Sequence, residues 1–130
     1  MSSLTYFWKI GIGIFILLFC SSFAYRVIPV VTLNGQTSGS IFSHEFSKYD
    51  GLHIDTTNHS CAVSHYTLYH ISLTKDIAIY KGTCATFSPP IQASVQQAEK
   101  GDKYIFINVK VHCQGERIPI HVNPLNFNIK

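Results

Sequence analysis

The residues best suited to chemistry in this sequence are histidines and a cysteine grouped near its middle. His53, His59, Cys61, His65 and His70 follow one another closely, and imidazole and thiolate groups are the ligands that zinc prefers. The spacing argues against a zinc site, because neither a Cys-x-x-Cys pair nor a His-Glu-x-x-His pair is present. On one extended strand, Cys61 and His65 would lie about 13 Å apart. We therefore predict no metal and no cofactor, with the histidines at strand ends and on polar faces.

Sequence motifs of enzymes are also missing from the chain. It contains no Gly-x-Ser-x-Gly elbow, no phosphate-binding loop and no dinucleotide-binding glycine run. Its seven acidic residues form no paired set on a defined scaffold that would serve as general acid and base. Ten Lys and Arg residues are spread along the chain and leave a net charge of +3, so no basic block points to nucleic acid. The sequence predicts a protein that is not an enzyme and has no nucleic-acid partner.

The cysteines permit one disulfide in an exported domain. Cys20 lies in the apolar N-terminal segment, which leaves Cys61, Cys84 and Cys113. Three pairings can form, each with one cysteine left over. Cys113 is expected on the apolar side of its strand and Cys61 at the start of a neighbouring strand, which favours a pair that includes Cys113. We predict Cys61–Cys113 as a structural disulfide and keep buried free thiols as the alternative.

Tyrosines are the side chains best suited to a protein interface, because they are enriched at such surfaces. Tyr66, Tyr69 and Tyr104 are the interface candidates, with Tyr49 and Tyr80 as further members of the set. For each tyrosine the alternative is packing in or at the rim of the core.

Short strands dominate the first half of the domain. Alternating apolar residues over positions 27 to 33 predict an opening strand, and Pro29 within it favours a sheet edge because proline donates no backbone hydrogen bond. Positions 34 to 60 are rich in Gly, Ser, Thr, Asn and Asp, which is typical of a loop with short strands. Positions 62 to 73 predict a long strand whose alternation changes phase near Tyr69, where we expect a β-bulge.

One helix and a run of strands complete the domain. Ser88 as cap, Pro89 in the first turn and Gly101 beyond the end predict a helix of roughly ten residues. A strand follows, then a turn at positions 114 to 116 and two closing strands. This pattern predicts a mainly β, immunoglobulin-like β-sandwich with one short helix. On the strand after the helix we expect Ile105, Ile107, Val109, Val111 and Cys113 on one face, and Tyr104, Phe106, Asn108, Lys110 and His112 on the other.

Residues 1–24 are predicted to be a leader that precedes the domain at residues 25–130. Lys9 is the only charged residue between Leu4 and Ala24, and the run from Ile10 to Cys20 is apolar apart from glycine. The run has the length of the core of a signal peptide, and cleavage after Ala24 would release the domain. With its aromatic flank included, the segment approaches the roughly 20 residues that span a bilayer as a helix. A cleaved signal peptide and a retained membrane anchor both remain open.

After the leader, several short segments follow one another in a recognisable order. They are Val31-Thr32-Leu33-Asn34-Gly35, Ser38-Gly39-Ser40-Ile41, the strand Tyr66 to Thr74, Lys81-Gly82 before Thr86-Phe87-Ser88-Pro89, Lys100-Gly101-Asp102-Lys103-Tyr104 leading into Ile105 to Val111, Gly115-Glu116-Arg117, and Phe127-Asn128-Ile129-Lys130. Over about residues 29 to 130, this order and spacing resemble the last periplasmic domain of the GldM family. Members of that family serve gliding motility and type IX secretion in Bacteroidota, and carry an N-terminal membrane helix followed by several periplasmic β-domains.

The resemblance implies a non-catalytic envelope module that binds other proteins. Its expected location is the periplasm, either anchored in the inner membrane through residues 4–24 or released after cleavage. Expected partners are envelope proteins, including secretion or motility components, and a second copy of the chain in a homodimer. The alternative function is a small secreted domain that binds peptide or carbohydrate through positions 34 to 60. A secreted inhibitor or a stress-induced surface protein is a third hypothesis.

Overall fold

Strands make up most of the regular structure in the computed structural model, which describes residues 28–55 and 60–130. The prediction of a mainly β fold is confirmed. The predicted leader at residues 1–24, with its apolar helix, lies outside the described residues, as does His59.

Eight strands and two helices follow one another in the described residues. In chain order they are β1 (Val30–Thr32), β2 (Ser38–Ile41), α1 (Ser43–Phe46), β3 (His53–Asp55), β4 (Cys61–Ile71), β5 (Ala78–Gly82), α2 (Pro89–Gln96), β6 (Lys103–Cys113), β7 (Ile120–His121) and β8 (Leu125–Ile129). Helix α2 is the predicted helix, and it begins at Pro89, where a missing N–H costs no helical hydrogen bond. The prediction of a single helix was wrong, because α1 is one turn long and too short to show a helical period in the sequence.

Six strands form one mixed sheet in the order β2-β8-β6-β4-β5, with β7 also paired to β6. Strands β2 and β8 are parallel, and the other pairs are antiparallel. Strands β7 and β8 both pair with β6, one opposite Lys110 and Val111 and the other opposite the segment Lys103 to Phe106. They share one edge of β6, because β4 occupies the other. Strands β1 and β3 form a separate antiparallel pair.

Two irregularities in the pairing of β4 with β6 decide which side chains enter the core. Cys61 pairs with Cys113 and Thr67 with Ile107, but between them His65 pairs with Lys110 one position out of step. Each strand therefore has one extra residue in this stretch, and the two shifts cancel. The bulge of β4 lies between Val63 and Thr67 and not near Tyr69, where the alternation of the sequence placed it.

The bulge of β6 overturns the predicted faces of that strand. Asn108 has φ of 51°, a left-handed conformation that asparagine tolerates better than most residues. Its extra position moves Tyr104 and Phe106 onto the same side as Val109 and Val111, and all four are buried. The sequence concealed the change because β6 is apolar on both sides of Asn108.

The core lies on one side of the six-stranded sheet. Tyr104, Phe106, Leu125 and Phe127 from β6 and β8 are fully buried there. Helices and the smaller sheet cover them, through a set of buried residues from several elements: Val31, Leu33, Phe46, Leu52, Ile91 and Val95. The opposite side of the same sheet carries partly exposed and exposed residues in alternation with the core. An antiparallel sheet with one packed and one solvated side is the common arrangement.

Candidate functional site

Two of the three interface tyrosines lie in the core. Tyr66 has 2% and Tyr104 has 0% of its surface exposed, so their assignment to an exposed interface was wrong. The bulges are the physical reason, because they turn both residues toward α1, α2 and the smaller sheet. Tyr69 is the remaining candidate, and it lies on the opposite side of β4.

Tyr104 is held by packing and by a buried hydrogen bond. Its hydroxyl donates to the backbone carbonyl of Ser94 at 2.7 Å. Its ring lies 4.5 Å from that of Phe46 and stacks on the imidazole of His70 at 4.3 Å. Burial, with a smaller contribution from the charge of Asp102, raises the pKa of its hydroxyl. Tyr104 therefore links β6 to both helices.

Tyr66 is buried without such a bond. Within the described residues its hydroxyl has no hydrogen-bond partner. Burial, together with the nearby Cys84 thiol, raises the pKa of Tyr66 to about 12. The ring covers Gly82 so closely that a Cβ built there would lie 2.0 Å from Cζ. Gly82 therefore admits the ring into the core.

Tyr69 stands in an apolar row on the other side of the sheet. It is directly opposite Ile79 on β5 and Ile105 on β6. Ile79 is 58% exposed, whereas Tyr69 and Ile105 are partly exposed. Ile71 and Ile107 lie two residues away on the same side of their strands. We call this side the solvent face, with the row Ile79–Tyr69–Ile105 at its centre.

Three lysines frame that row. Lys81 pairs with Thr67 and Lys103 with Ile71, so both are on the solvent face. Lys110 lies between buried Val109 and Val111, and it therefore points to the same side. Asn126 and Asn128 of β8 extend the face with neutral polar groups. The solvent face thus has an apolar centre and a cationic border.

The sequence identified only part of this surface. It singled out Tyr69 as an interface candidate, but it placed Ile105 and Ile107 on the buried side of β6. The bulge at Asn108 changes which side chains of β6 point to the core. The sequence gives no sign of this change, because β6 is apolar on both sides.

A polar network on the core side was missed by sequence reasoning altogether. The Nε2 atom of His70 lies 2.9 Å from Oδ2 of Asp102, and its Nδ1 atom lies 2.9 Å from Oγ of Ser94. An ionised carboxylate only accepts, so Nε2–H donates to Asp102, and in the tautomer with its proton on Nε2 the Nδ1 atom accepts from the Ser94 hydroxyl. Asp102 also accepts the backbone N–H of Glu99. One signal was available, because His70 has the same strand parity as Leu68, which is buried.

This network lines a cavity of about 430 Å³ between α2 and the ends of β4 and β5. Serine, histidine and aspartate are the residues of an acyl-transfer triad. Ser94, however, is 4% exposed and lies inside α2, and the backbone carbonyl of the same residue accepts from Tyr104. The network ties α2, β4 and the start of β6 together. Its geometry favours a structural role over attack on a substrate.

The cysteines and the other histidines singled out in the sequence lie on several different elements. Cys61 and Cys113 form a disulfide that links β4 to β6, and Cys84 is a free, exposed cysteine. The Cys84 thiol donates to the carbonyl of Thr86 at 3.3 Å. His53 lies on β3 and His65 on β4. In residues 28–55 and 60–130, no group of three His, Cys, Asp or Glu side chains is arranged to hold a metal ion.

The opening strand, for which Pro29 predicts a sheet edge, has backbone hydrogen bonds to a side chain along that edge. The backbone N–H of Val31 in β1 donates to Oδ1 of Asn123 at 2.9 Å, and Nδ2 of Asn123 donates to the carbonyl of Val31 at 2.8 Å. The side-chain amide thus takes the place of a neighbouring strand. In the six-stranded sheet, β2 and β5 are the outermost strands.

Positions 34 to 60, the predicted binding loop of the alternative function, contribute to the core where they are described. They include β2, α1 and β3, and Phe46 and Leu52 are buried. No helix within the described part of the chain is long and apolar enough to cross a membrane.

A scan against protein-family models finds no match to the chain, and a search among curated proteins finds none either.

Proposed function

We propose that this chain is a non-catalytic module of the bacterial envelope that binds another protein through its solvent face. The order and spacing of segments over residues 29 to 130, which resemble the terminal domain of the GldM family, support a role in gliding-motility or type IX secretion machinery. The module is a β-sandwich of immunoglobulin-like size in the periplasm, and residues 1–24 direct its export or anchor it. The observation that carries the proposal is the row Ile79–Tyr69–Ile105.

The row favours a protein partner because it offers apolar area on an ordered scaffold. Tyrosine presents a large, rigid ring with a polar tip, which suits the centre of an interface. Ile79 on one side and Ile105 on the other widen the apolar strip across three hydrogen-bonded strands. Contiguous exposed apolar area of this kind marks interaction sites more often than isolated apolar residues do. Ile118, which is 76% exposed, is an isolated case on the connection between β6 and β7.

A non-catalytic role is favoured by the placement of the triad-like group that the described residues contain, which is Ser94, His70 and Asp102. Its serine is buried within α2, and each member contributes to packing between the helix and the sheet. The solvent face, by contrast, combines apolar, amide and ammonium groups, which suit binding.

Site-specific photo-cross-linking of the full chain in its native envelope tests the proposal. A photoreactive phenylalanine analogue replaces Tyr69 in one version and Ile118 in another, and products are identified by mass spectrometry. We expect a discrete heterologous product from position 69 and none of the same mass from position 118. The substitution Ile79→Asn should abolish the product, whereas the matched control Ile118→Asn, which changes the same residue type at an exposed site, should leave it unchanged. Identical products from both positions, or a product insensitive to Ile79→Asn, would refute binding at the solvent face.

A further inference from the structure

The strands of the six-stranded sheet contain lysines and histidines but no acidic residue. Across β2, β4, β5, β6, β7 and β8 the sequence has no Asp or Glu. Lys81, Lys103 and Lys110 are the lysines of these strands, and all three are on the solvent face. The solvent face therefore has charge of one sign only.

Within residues 28–55 and 60–130, no carboxylate side chain forms a salt bridge with these lysines. All seven acidic residues of the sequence fall within the described part, on α1, on β3 or in connections between elements: Glu45, Asp50, Asp55, Asp76, Glu99, Asp102 and Glu116. In the described residues the one contact of a carboxylate with a basic side chain at salt-bridge distance is the hydrogen bond between His70 and Asp102. Lys81 is exposed and Lys103 and Lys110 are partly exposed, so their ammonium groups can pair with charges from outside.

The positions of the lysines define a pattern along β6. Lys103 and Lys110 are seven residues apart, which is about 23 Å in a strand. Ile105 and Ile107 lie between them on the solvent face, and Lys81 flanks Ile107 across Thr67. The face thus offers an apolar centre with a cation beyond each end.

A second copy of the chain does not match this pattern. Two solvent faces packed against each other would bring lysines toward lysines, and like charges at an interface disfavour association. A surface that is apolar at its centre and carries carboxylates at both ends matches it in shape and in charge.

We infer that the partner of the solvent face is a protein segment with acidic side chains on both sides of an apolar centre. This inference rests on the proposed function and adds the chemistry of the partner to it. Carboxylates of the segment pair with Lys81, Lys103 and Lys110, while its apolar residues cover Tyr69, Ile79 and Ile105. Such charge pairs at the border of an interface mainly raise the association rate and its salt dependence.

The test uses the full chain with the cross-linker at position 69 and compares two charge reversals of equal size. Lys81→Glu with Lys110→Glu changes the solvent face, and Lys48→Glu with Lys100→Glu changes exposed lysines outside the strands of the sheet. We expect the first pair to lower the yield of cross-linked product about tenfold or more and the second pair to leave it within about twofold. Raising the salt from about 0.1 M to about 1 M, which shortens the screening length from about 10 Å to about 3 Å, should lower the yield with the unmodified chain. The cross-linked peptide of the partner should contain more Asp and Glu than Lys and Arg.

The outcomes separate this inference from the proposed function. If Ile79→Asn abolishes the product while Lys81→Glu with Lys110→Glu does not, binding at the solvent face stands and the acidic partner is wrong. A cross-linked second copy, or a basic partner peptide, also overturns the inference. If the unmodified chain gives no product at position 69, both proposals fail together.

Discussion

The two sides of the six-stranded sheet use tyrosine in opposite ways. On the core side, Tyr66 and Tyr104 are buried among aromatic rings, and on the solvent face Tyr69 stands between two isoleucines. All three belong to the two longest strands, β4 and β6. Whether a tyrosine packs in the core or lies on the solvent face therefore depends on the side of the strand to which it points. One bulge residue in β4 and one in β6 change that side.

The comparison also shows how differently the two sides treat polar groups. On the core side, the hydroxyl of Tyr104 and the ring of His70 have partners within the protein. On the solvent face, lysine ammonium groups have no carboxylate partner in the described residues. A buried polar group without a partner costs free energy, while an exposed one is hydrated. Of the two sides of the sheet, the solvent face is thus the one whose strands present charged groups to another molecule.

The largest expected effect comes from truncating tyrosines on the two sides. Tyr104→Ala removes a fully buried ring and leaves a cavity beside Phe46 and His70, so the free energy of unfolding should fall by about 3–5 kcal/mol. Tyr69→Ala removes cross-strand contacts on the solvent face and should lower it by about 1 kcal/mol at most. Urea denaturation of both variants measures the difference.

The same two variants test whether the two sides of the sheet differ in this way. If Tyr69→Ala destabilises the chain as much as Tyr104→Ala, the solvent face is packed within the folded chain and is not a free surface. Conversely, a loss of cross-linked partner by Ile79→Asn with unchanged unfolding would strengthen the division between a packing side and a binding side.

The sequence predicted the main elements where periodic signals were long. Pro89 at the helix start and the apolar runs of β4 and β6 were sufficient to place α2 and the two longest strands. Side-chain phase was lost where a single residue changed the backbone, since Asn108 adopts its left-handed conformation inside an apolar run. Alternation cannot reveal such a change when both sides of the strand are apolar.

Contacts between distant residues were beyond sequence reasoning for a different reason. In the buried network, Ser94 and Asp102 contact His70 from positions 24 and 32 residues away in the sequence. No local spacing predicts contacts between residues so far apart. The lysine border of the solvent face was equally hidden, because Lys81 and Lys103 meet the same surface only after β5, β4 and β6 are aligned. Tyr69 could be proposed from its residue type alone, but its isoleucine neighbours required the register.

A second prediction sharpens the comparison through the buried network. Asp102→Ala removes the acceptor of both His70 Nε2–H and the Glu99 backbone N–H. Two partly buried donors lose their partner, so the free energy of unfolding should fall by about 2–4 kcal/mol. Asp76→Ala, at an exposed acid on the same cavity, should change it by about 0.5 kcal/mol or less. Thermal and urea unfolding of the two variants provide the measurement.

The network also predicts that its members are coupled. His70→Phe combined with Asp102→Ala should cost less than the sum of the two single changes, because the second change no longer breaks an intact contact. Strict additivity of the two costs would show that His70 and Asp102 stabilise the fold independently.

The smallest expected effects concern the two buried hydroxyls. Tyr66→Phe removes a hydroxyl that has no partner in the described residues, so at pH 7 the stability should stay the same or rise by up to about 1 kcal/mol. Tyr104→Phe removes the hydrogen bond to Ser94 and should lower it by about 1 kcal/mol. Opposite signs for the same chemical change are expected, and two equal losses would mean that the Tyr66 hydroxyl is bonded in solution.

Unfolding at alkaline pH provides a further test of the burial of Tyr66. Its pKa of about 12 in the folded chain exceeds the ordinary value of 10.0, so the unfolded chain loses the phenolic proton first. The stabilisation that this difference in pKa gives to the folded chain is complete below about pH 10 and declines as the pH rises toward 12. In Tyr66→Phe the fall of unfolding free energy between pH 9 and pH 11 should therefore be shallower than in the unmodified chain. An unaltered slope in Tyr66→Phe would mean that its phenol has the same pKa in the folded and the unfolded chain.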